Sequence, residues 1–251
     1  MRYIGTSYLT MASVDGLEIA KRIAESPRFI KRNYLASKSF SFQYLWYRFL
    51  RPLLKVNYKI FRWRKGETPW ITQAAIVTLE QLLTPEMVGL EYGSGNSTLF
   101  IASRVKQLTS VEHNDHWYQI VAKKLKERGI TNVDYRCIPP HNGRSVGSED
   151  EFPTLSAMHP QFQIRSEYRD YYSFVKTFPD NHFDFILIDG RARVECTLNA
   201  IPKLKDGGIL VLDNSDRRRY APIFDALRDW PCVTTTTGLF DTTICFKPER
   251  S

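Results

Sequence analysis

The sequence predicts an α/β protein: a mostly parallel seven-stranded sheet covered by helices, closed by an antiparallel hairpin and preceded by a helical extension. Three observations predict it. Between residues 88 and 213, short apolar runs alternate five times with helix-patterned segments, and strands that are nearly all apolar are what a sheet buried on both faces requires. The first of these runs ends in Gly93-Ser94-Gly95, the kind of turn that joins a strand to a helix beneath a ligand. The first 68 residues show no strand alternation and carry 14 Lys/Arg against 4 Asp/Glu, which sets them apart from the remainder of the chain.

The extension, residues 1–67, reads as helical. Leu17, Ala20 and Ala24 share one helical face, with Ile19 and Ile23 a turn apart beside it. Residues 39–66 interleave aromatics, among them Phe40, Phe42, Trp46, Phe49 and Trp63, with seven Lys/Arg. Pro52 is expected to end or kink any helix there. The main domain, 68–251, opens with Thr68 placed to cap a helix whose first residue is Pro69 and whose face is Ile71, Ala75, Leu79 and Leu82. Residues 88–92 form a strand, 96–105 a helix and 108–112 a second strand. Asn114 is placed to cap a helix that turns Trp117, Val121 and Leu125 to one side and stops at Gly129. A third strand at 133–137 is followed by a long loop, 139–165, of the length that is often functional. Then come a helix at 168–178, a fourth strand at 183–189, a helix marked by Val194, Leu198 and Ile201, a fifth strand at 209–213 and a helix at 220–230. Two last strands, 233–236 and 242–246, flank Gly238 as a hairpin.

Composition excludes several classes. The net charge of +8 resides in the extension, because the rest of the chain carries 21 Lys/Arg and 23 Asp/Glu. That argues against a protein that wraps a polyanion along its whole length. No uncharged run approaches the roughly 18 residues of a membrane span. The N-terminus lacks the continuous apolar core and small-residue cleavage site of a secretory signal, so a cytoplasmic protein is expected. Cys137, Cys196, Cys232 and Cys245 show no C-x-x-C spacing. This argues against structural zinc, and the four are expected to be buried thiols in a reducing compartment.

The chemistry concentrates at strand ends. In Leu90-Glu91-Tyr92-Gly93-Ser94-Gly95-Asn96-Ser97-Thr98 the glycines allow a tight turn and close ligand approach. Glu112 ends the next strand, 19 residues after Gly93, where a carboxylate can accept both hydroxyls of a ribose. There is no third glycine at the dinucleotide spacing, and Glu91 would repel a pyrophosphate but not an ammonium or a sulfonium. No G-x-x-x-x-G-K-[ST] is present, so an NTPase has no anchor.

These residues, with Ser110-Val111-Glu112-His113, Trp117, Ile188-Asp189-Gly190-Arg191-Ala192-Arg193, Cys196, Gly207-Gly208 and Leu212-Asp213-Asn214, resemble a bacterial-type class I S-adenosylmethionine-dependent methyltransferase with a Rossmann-like fold. The resemblance covers about residues 69–247. It implies that Glu91, Gly93, Gly95 and Ser97 line the methionine half of the cofactor, with Ser94 among the contacts. By the same resemblance Glu112 takes the ribose, His113 lies near the adenine and Asp189 lies near the sulfonium.

Asp189, Asp213 and Asn214 stand at the ends of the fourth and fifth strands, 24 residues apart. Two carboxylates and an amide oxygen suit a hard cation such as Mg²⁺. The set is similar to that of the metal-dependent catechol and caffeoyl-CoA O-methyltransferases, in which it implies catalysis through a metal-held hydroxyl. The chain departs from them in reading Asp-Gly-Arg-Ala-Arg, without the lysine that serves those enzymes as a base. A capped turn at Asp213-Asn214 is the alternative. His141 and His159 offer a base in the long loop, and Arg191, Arg193 and Arg217–Arg219 can hold an anion or simply face solvent. Tyr171 and Tyr172 read as core or acceptor pocket. The Asn/Asp-Pro-Pro-Tyr run used on base amines and the Gly-Gly-Gly-Asp-Gly turn of aminopropyl transferases are both absent.

The expectation is methyl transfer to a small-molecule acceptor, a hydroxyl. The alternative is an S-adenosylmethionine-binding protein without turnover, tethered to membrane or RNA by its extension. For the extension itself three readings stand: a cap over the cleft, a helix lying on an anionic membrane, and, less favoured, an arm for nucleic acid.

Overall fold

A computed structural model describes residues 11–30, 42–141 and 152–249. Phe40 of the aromatic stretch, the start of the chain and residues 142–151 of the long loop lie outside these.

Seven strands of the described residues form one sheet: β1 (Val88–Tyr92), β2 (Gln107–Glu112), β3 (Val133–Cys137), β4 (Phe183–Ile188), β5 (Leu204–Asp213), β6 (Cys232–Thr236) and β7 (Asp241–Phe246). Their spatial order is β3-β2-β1-β4-β5-β7-β6, with the first five parallel and β7 antiparallel to both neighbours. Alternation along each strand sorts the core into two layers. Leu90, Tyr92, Ile186, Ile188, Leu210 and Leu212 face one side, and Phe185, Leu187, Val211 and Ile244 face the other. That is the doubly covered sheet the apolar runs predict.

The second layer is covered by α1 (Met11–Ala24), α3 (Gln73–Leu82) and α4 (Asn96–Ala102). Leu17 and Ala20 of α1 share a cluster with Ile71, Ala75 and Leu79, so the first helix of the extension belongs to the core of the main domain. The cap of α3 is Thr72, whose hydroxyl accepts from the Ala75 N–H at 3.3 Å, while Thr68 is buried and caps nothing. A small third cluster, Leu99, Val121 and Leu125, seats α5 (Asp115–Glu127), and Asn114 caps that helix as expected.

On the first layer, α6 (Pro153–Met158) arises within the stretch read as loop. The predicted helix at 168–178 breaks into α7 (Arg169–Ser173) and two 3₁₀ turns. Tyr171, Tyr172 and Val175 all reach the core from it, and Phe178 is held extended ahead of Pro179. The remaining helices are α8 (Arg193–Ala200) and α9 (Ala221–Ala226).

Two further expectations are corrected. Helix α2 (Phe42–Lys65) runs through Pro52 without interruption. Proline removes one N–H and crowds the preceding turn, but Arg48 and Pro52 are both exposed, so the missing hydrogen bond does not fall in the core. Cys232 and Cys245 are joined as a disulfide. They are 13 residues apart in sequence and directly opposed in the β6–β7 register, with Cα atoms 4.1 Å apart, so strand register and not close spacing brings them together. Cys196 is a buried free thiol, as expected, and Cys137 is a half-buried one.

Candidate active site

Chain order along the sheet reverses between β1 and β4, and a crevice opens there beyond the carboxyl ends of the strands. A cleft of about 950 Å³ occupies that edge. Its floor is two glycines in contact. Gly93 has φ +90°, and a Cβ built on it would stand 2.6 Å from the backbone of Gly190. A Cβ on Gly190 would overlap the Tyr171 hydroxyl. Only glycine at both places lets the turns after β1 and β4 cross so closely.

Beneath the Gly93–Gly95 turn lies Glu91, fully buried. Its Oε2 accepts from the hydroxyls of Thr98 and Ser110, each at 2.6 Å, and Thr98 Oγ1 accepts from the Gly95 N–H at 2.9 Å. Oε1 has no hydrogen-bond partner. Burial pushes this carboxyl up to about 7, against the pull of those hydroxyls. Glu91, Gly95 and Ser97 therefore support the turn from behind, while Gly93, Ser94, Glu112, His113 and Asp189 line the cleft.

Glu112 is held on all sides. Oε2 accepts from the backbone N–H and the hydroxyl of Ser94, both at 3.0 Å. Oε1 accepts from the N–H groups of His113 and Asn114 at 2.8 and 2.9 Å. Burial opposes its charge, but hydrogen bonds from His113 and Asn114 outweigh that and hold it below the usual carboxylate range. The Ser94 hydroxyl also lies 2.6 Å from the Tyr135 hydroxyl. The indole N–H of Trp117 fixes the turn from outside by donating to the Ser94 carbonyl at 2.8 Å. The His113 ring meets Tyr168 and Tyr171 edge-on.

The Asp189, Asp213 and Asn214 set is brought together only in part, and its centre is an arginine. Arg193, at the start of α8 and buried, donates Nη2 to Asp189 Oδ1 and to the Asp189 carbonyl, both at 2.7 Å. Its Nε donates to the Gly190 carbonyl at 3.0 Å, and its Nη1 to the Asp213 carbonyl, 3.6 Å from Asp213 Oδ2. Asp213 also accepts from the Thr242 hydroxyl at 3.0 Å. Asn214, at φ 52°, turns away and accepts from Arg217 at 2.5 Å. These residues do not fit a divalent cation. The place between the carboxylates holds a guanidinium with its donors engaged, and the amide points elsewhere. Among the described residues no group of three or more His, Cys, Asp or Glu is arranged for a metal. Burial and the neighbouring Asp213 raise the Asp189 carboxyl well above the usual range, with Arg193 opposing. Asp189 follows β4 and Arg193 opens α8, so the pair closes across a strand-to-helix turn, where no helical or strand period marks it in the sequence.

The far wall carries Arg191, Arg217, Arg218 and Arg219, all exposed and without a carboxylate partner among the described residues. His159 is the base candidate that the cleft contains. It is 14% exposed, and its Nε2 lies 2.6 Å from Asp225 Oδ2. His141 is half-exposed and pairs with Asp170 outside the cleft. Tyr171 and Tyr172 are fully buried core residues.

A family described as "Methyltransferase domain" matches residues 90–215, half of the chain. The sequence has no match among curated proteins. Among solved structures, an rRNA methylase from Streptococcus thermophilus superposes with a TM-score of 0.50 at 12% identity, covering 72% of this chain and 100% of that one. A methyltransferase-like protein from Silicibacter pomeroyi gives 0.47 at 21% identity, covering 73% and 90%. M. jannaschii TYW2 in complex with AdoMet gives 0.44 at 11%, covering 73% and 80%. The glycine floor at the switch point, the acidic end of β2 and the family match over residues 90–215 lead to one assignment: the chain belongs to the methyltransferase-domain family and is a class I S-adenosylmethionine-dependent methyltransferase.

Proposed function

We propose that this protein methylates a hydroxyl of a small anionic acceptor, and does so without a divalent metal. The observation that carries the reading is one cleft with two chemically different walls. On one side are the Gly93 turn, Ser94, Glu112 and His113, and on the other are four arginines that no carboxylate of the described residues neutralises, with Asp189 between. Bound S-adenosylmethionine supplies an electrophilic methyl group on a sulfonium.

The chain's own residues do the rest. The cofactor's place fits the turn, because the two glycines leave backbone where side chains would block it. Glu112 would accept the ribose hydroxyls, with the Ser94 hydroxyl that now donates to Oε2 turning aside to free it. Asp189 presents a carboxylate toward the cleft, 22% exposed, and Arg193 locks its rotamer. A positive charge on the cofactor favours the ionised form of Asp189, so binding should release a proton and tighten as pH rises. Arg191 and Arg217–Arg219 hold the anionic group of the acceptor and align its hydroxyl. His159, which lines the cleft with its Nε2 2.6 Å from Asp225 Oδ2, is the group placed to take the hydroxyl proton.

The test is transfer of labelled methyl to paired acceptors, each hydroxyl compound with and without a phosphate or carboxylate. Turnover of the anionic members, unchanged by EDTA, is expected. His159→Gln should lower kcat by about 10²–10⁴-fold with KM kept, and Arg218→Ala with Arg219→Ala should raise KM instead. Equal turnover of neutral acceptors, or loss of activity in EDTA restored by Mg²⁺, would refute the reading.

A further inference from the structure

Among the described residues, helix α2 is seated on the domain by one side. Leu54 packs against Gly238, the Tyr58 hydroxyl donates to the Ile71 carbonyl at 3.1 Å, Phe61 joins the second core layer, and Lys65 pairs with Glu80 at 2.9 Å. The opposite side is apolar and uncovered among the described residues. Trp46, Phe49, Leu53, Val56, Ile60 and Trp63 recur at alternating spacings of three and four, which puts them in one stripe about 26 Å long. They are 44–82% exposed, with Phe49 at 75% and Trp63 at 82%. A contiguous stripe of this kind marks an interaction surface, whereas single exposed apolar residues do not.

Charge decides the occupant. The helix carries seven Lys/Arg and no Asp/Glu. Arg48, Lys55 and Lys59 run along one flank of the stripe at helical spacing, and Arg64 lies on the other. A second copy of this helix would bring seven more positive charges against them, with no carboxylate in either helix to pair. The same seven charges keep the helix from spanning a bilayer, and no helix among the described residues is long and apolar enough to cross one. Tryptophan and phenylalanine on an apolar face with Lys/Arg at its edge are the elements of a helix that lies in a headgroup layer.

We propose that α2 docks this enzyme on an anionic lipid bilayer, inserting the stripe from Trp46 to Trp63 among the acyl chains and placing Arg48, Lys55, Lys59 and Arg64 among the headgroups. The cleft comes with it. Arg62 lies over the ring of Trp70 at 4.7 Å, Trp70 contacts Trp117 at 6.5 Å, and Trp117 lines the cleft. The docked helix therefore holds the active site near the membrane surface.

The experiment is flotation of the full chain with phosphatidylcholine vesicles, with and without phosphatidylglycerol, while tryptophan emission is followed. Binding is expected only to the phosphatidylglycerol vesicles, with a blue shift and with release by salt. Each Lys or Arg near such a surface contributes about fivefold in affinity, so Lys55→Glu with Lys59→Glu should weaken binding at least about tenfold. Phe49→Ser with Ile60→Ser should weaken it as much, at unchanged S-adenosylhomocysteine binding, because neither side chain touches the core or the cleft. Wild-type protein that ignores phosphatidylglycerol vesicles would overturn the proposal. So would binding that survives Phe49→Ser/Ile60→Ser, which would leave charge alone as the cause. A lipid-free dimer dissociated by that same pair would overturn it too, by assigning the stripe to a second copy.

Discussion

At the scale of the residue, two glycines of the same turn differ in what they do. Gly93 combines φ +90° with backbone 2.6 Å from its missing Cβ. Gly95 is extended, and the nearest atom to a Cβ there is 3.9 Å away. Gly93→Ala should therefore abolish S-adenosylhomocysteine binding and lower stability, as read by calorimetry and urea unfolding. Gly95→Ala should keep the fold and report only on ligand space. Arg193 is the second such residue. Its removal leaves two carboxylates buried together, which costs about 3–5 kcal/mol. Arg193→Met should shift the urea midpoint accordingly, and Asp213→Asn added to it should recover part of the loss. A shift below about 1 kcal/mol would mean that the bridge is incidental.

Glu91 gives the pH dependence. Folding raises its carboxyl from the ordinary 4.5 to about 7, so the folded state holds the proton more tightly. That contribution is full below pH 4.5 and is lost as pH climbs through about 7, by at most about 3 kcal/mol. Glu91→Gln stays neutral and should be more stable than the wild type above pH 7, with the gap closing toward pH 4.5. Parallel stability curves for the two proteins would contradict this.

At the scale of the element, the strands were the most legible part of the sequence. A strand buried on both faces, such as β1 or β4, leaves an apolar run that period and length identify without help from the rest of the chain, and the seven expected strands are those the sheet contains. Helices were less legible where tertiary contacts set their ends. Thr72 and not Thr68 caps α3 because Thr72 also bonds Thr242 and Thr235 across the fold. Stretch 168–178 splits because its tyrosines serve the core. Pro52 misleads because a proline on a solvent face is tolerated within a long helix anchored by its other side. The hairpin pairing of Cys232 with Cys245 depends on register, which spacing alone does not carry. Thiol titration of the unfolded, unreduced protein should accordingly find two reactive thiols, Cys137 and Cys196. Four would remove the disulfide.

At the scale of the whole molecule, the strand order fixes where chemistry is possible. The reversal between β1 and β4 creates the crevice, and the carboxyl ends of β1, β2 and β4 deliver Gly93, Glu112 and Asp189 to it, while Asp213 at the end of β5 stays buried against Arg193. The sequence identified these positions because strand ends are where open parallel sheets hold ligands. It did not identify what lies between the carboxylates, since Arg193 arrives from the turn into α8, and it offered His141 and His159 alike as bases, which only long-range packing separates by setting His159 in the cleft beside Asp225. Fold and cofactor follow from short-range pattern, and the arginine-lined wall of the cleft follows from long-range packing.

The assignment requires that the Gly93 turn and Glu112 form an S-adenosylmethionine site. Calorimetric titration of the full chain with S-adenosylhomocysteine, with and without EDTA, tests it most directly. Saturable micromolar binding is expected, unchanged by EDTA and removed by Gly93→Ala or Glu112→Ala. Folded protein that binds no S-adenosylhomocysteine, or binds it equally well in both variants, would contradict it.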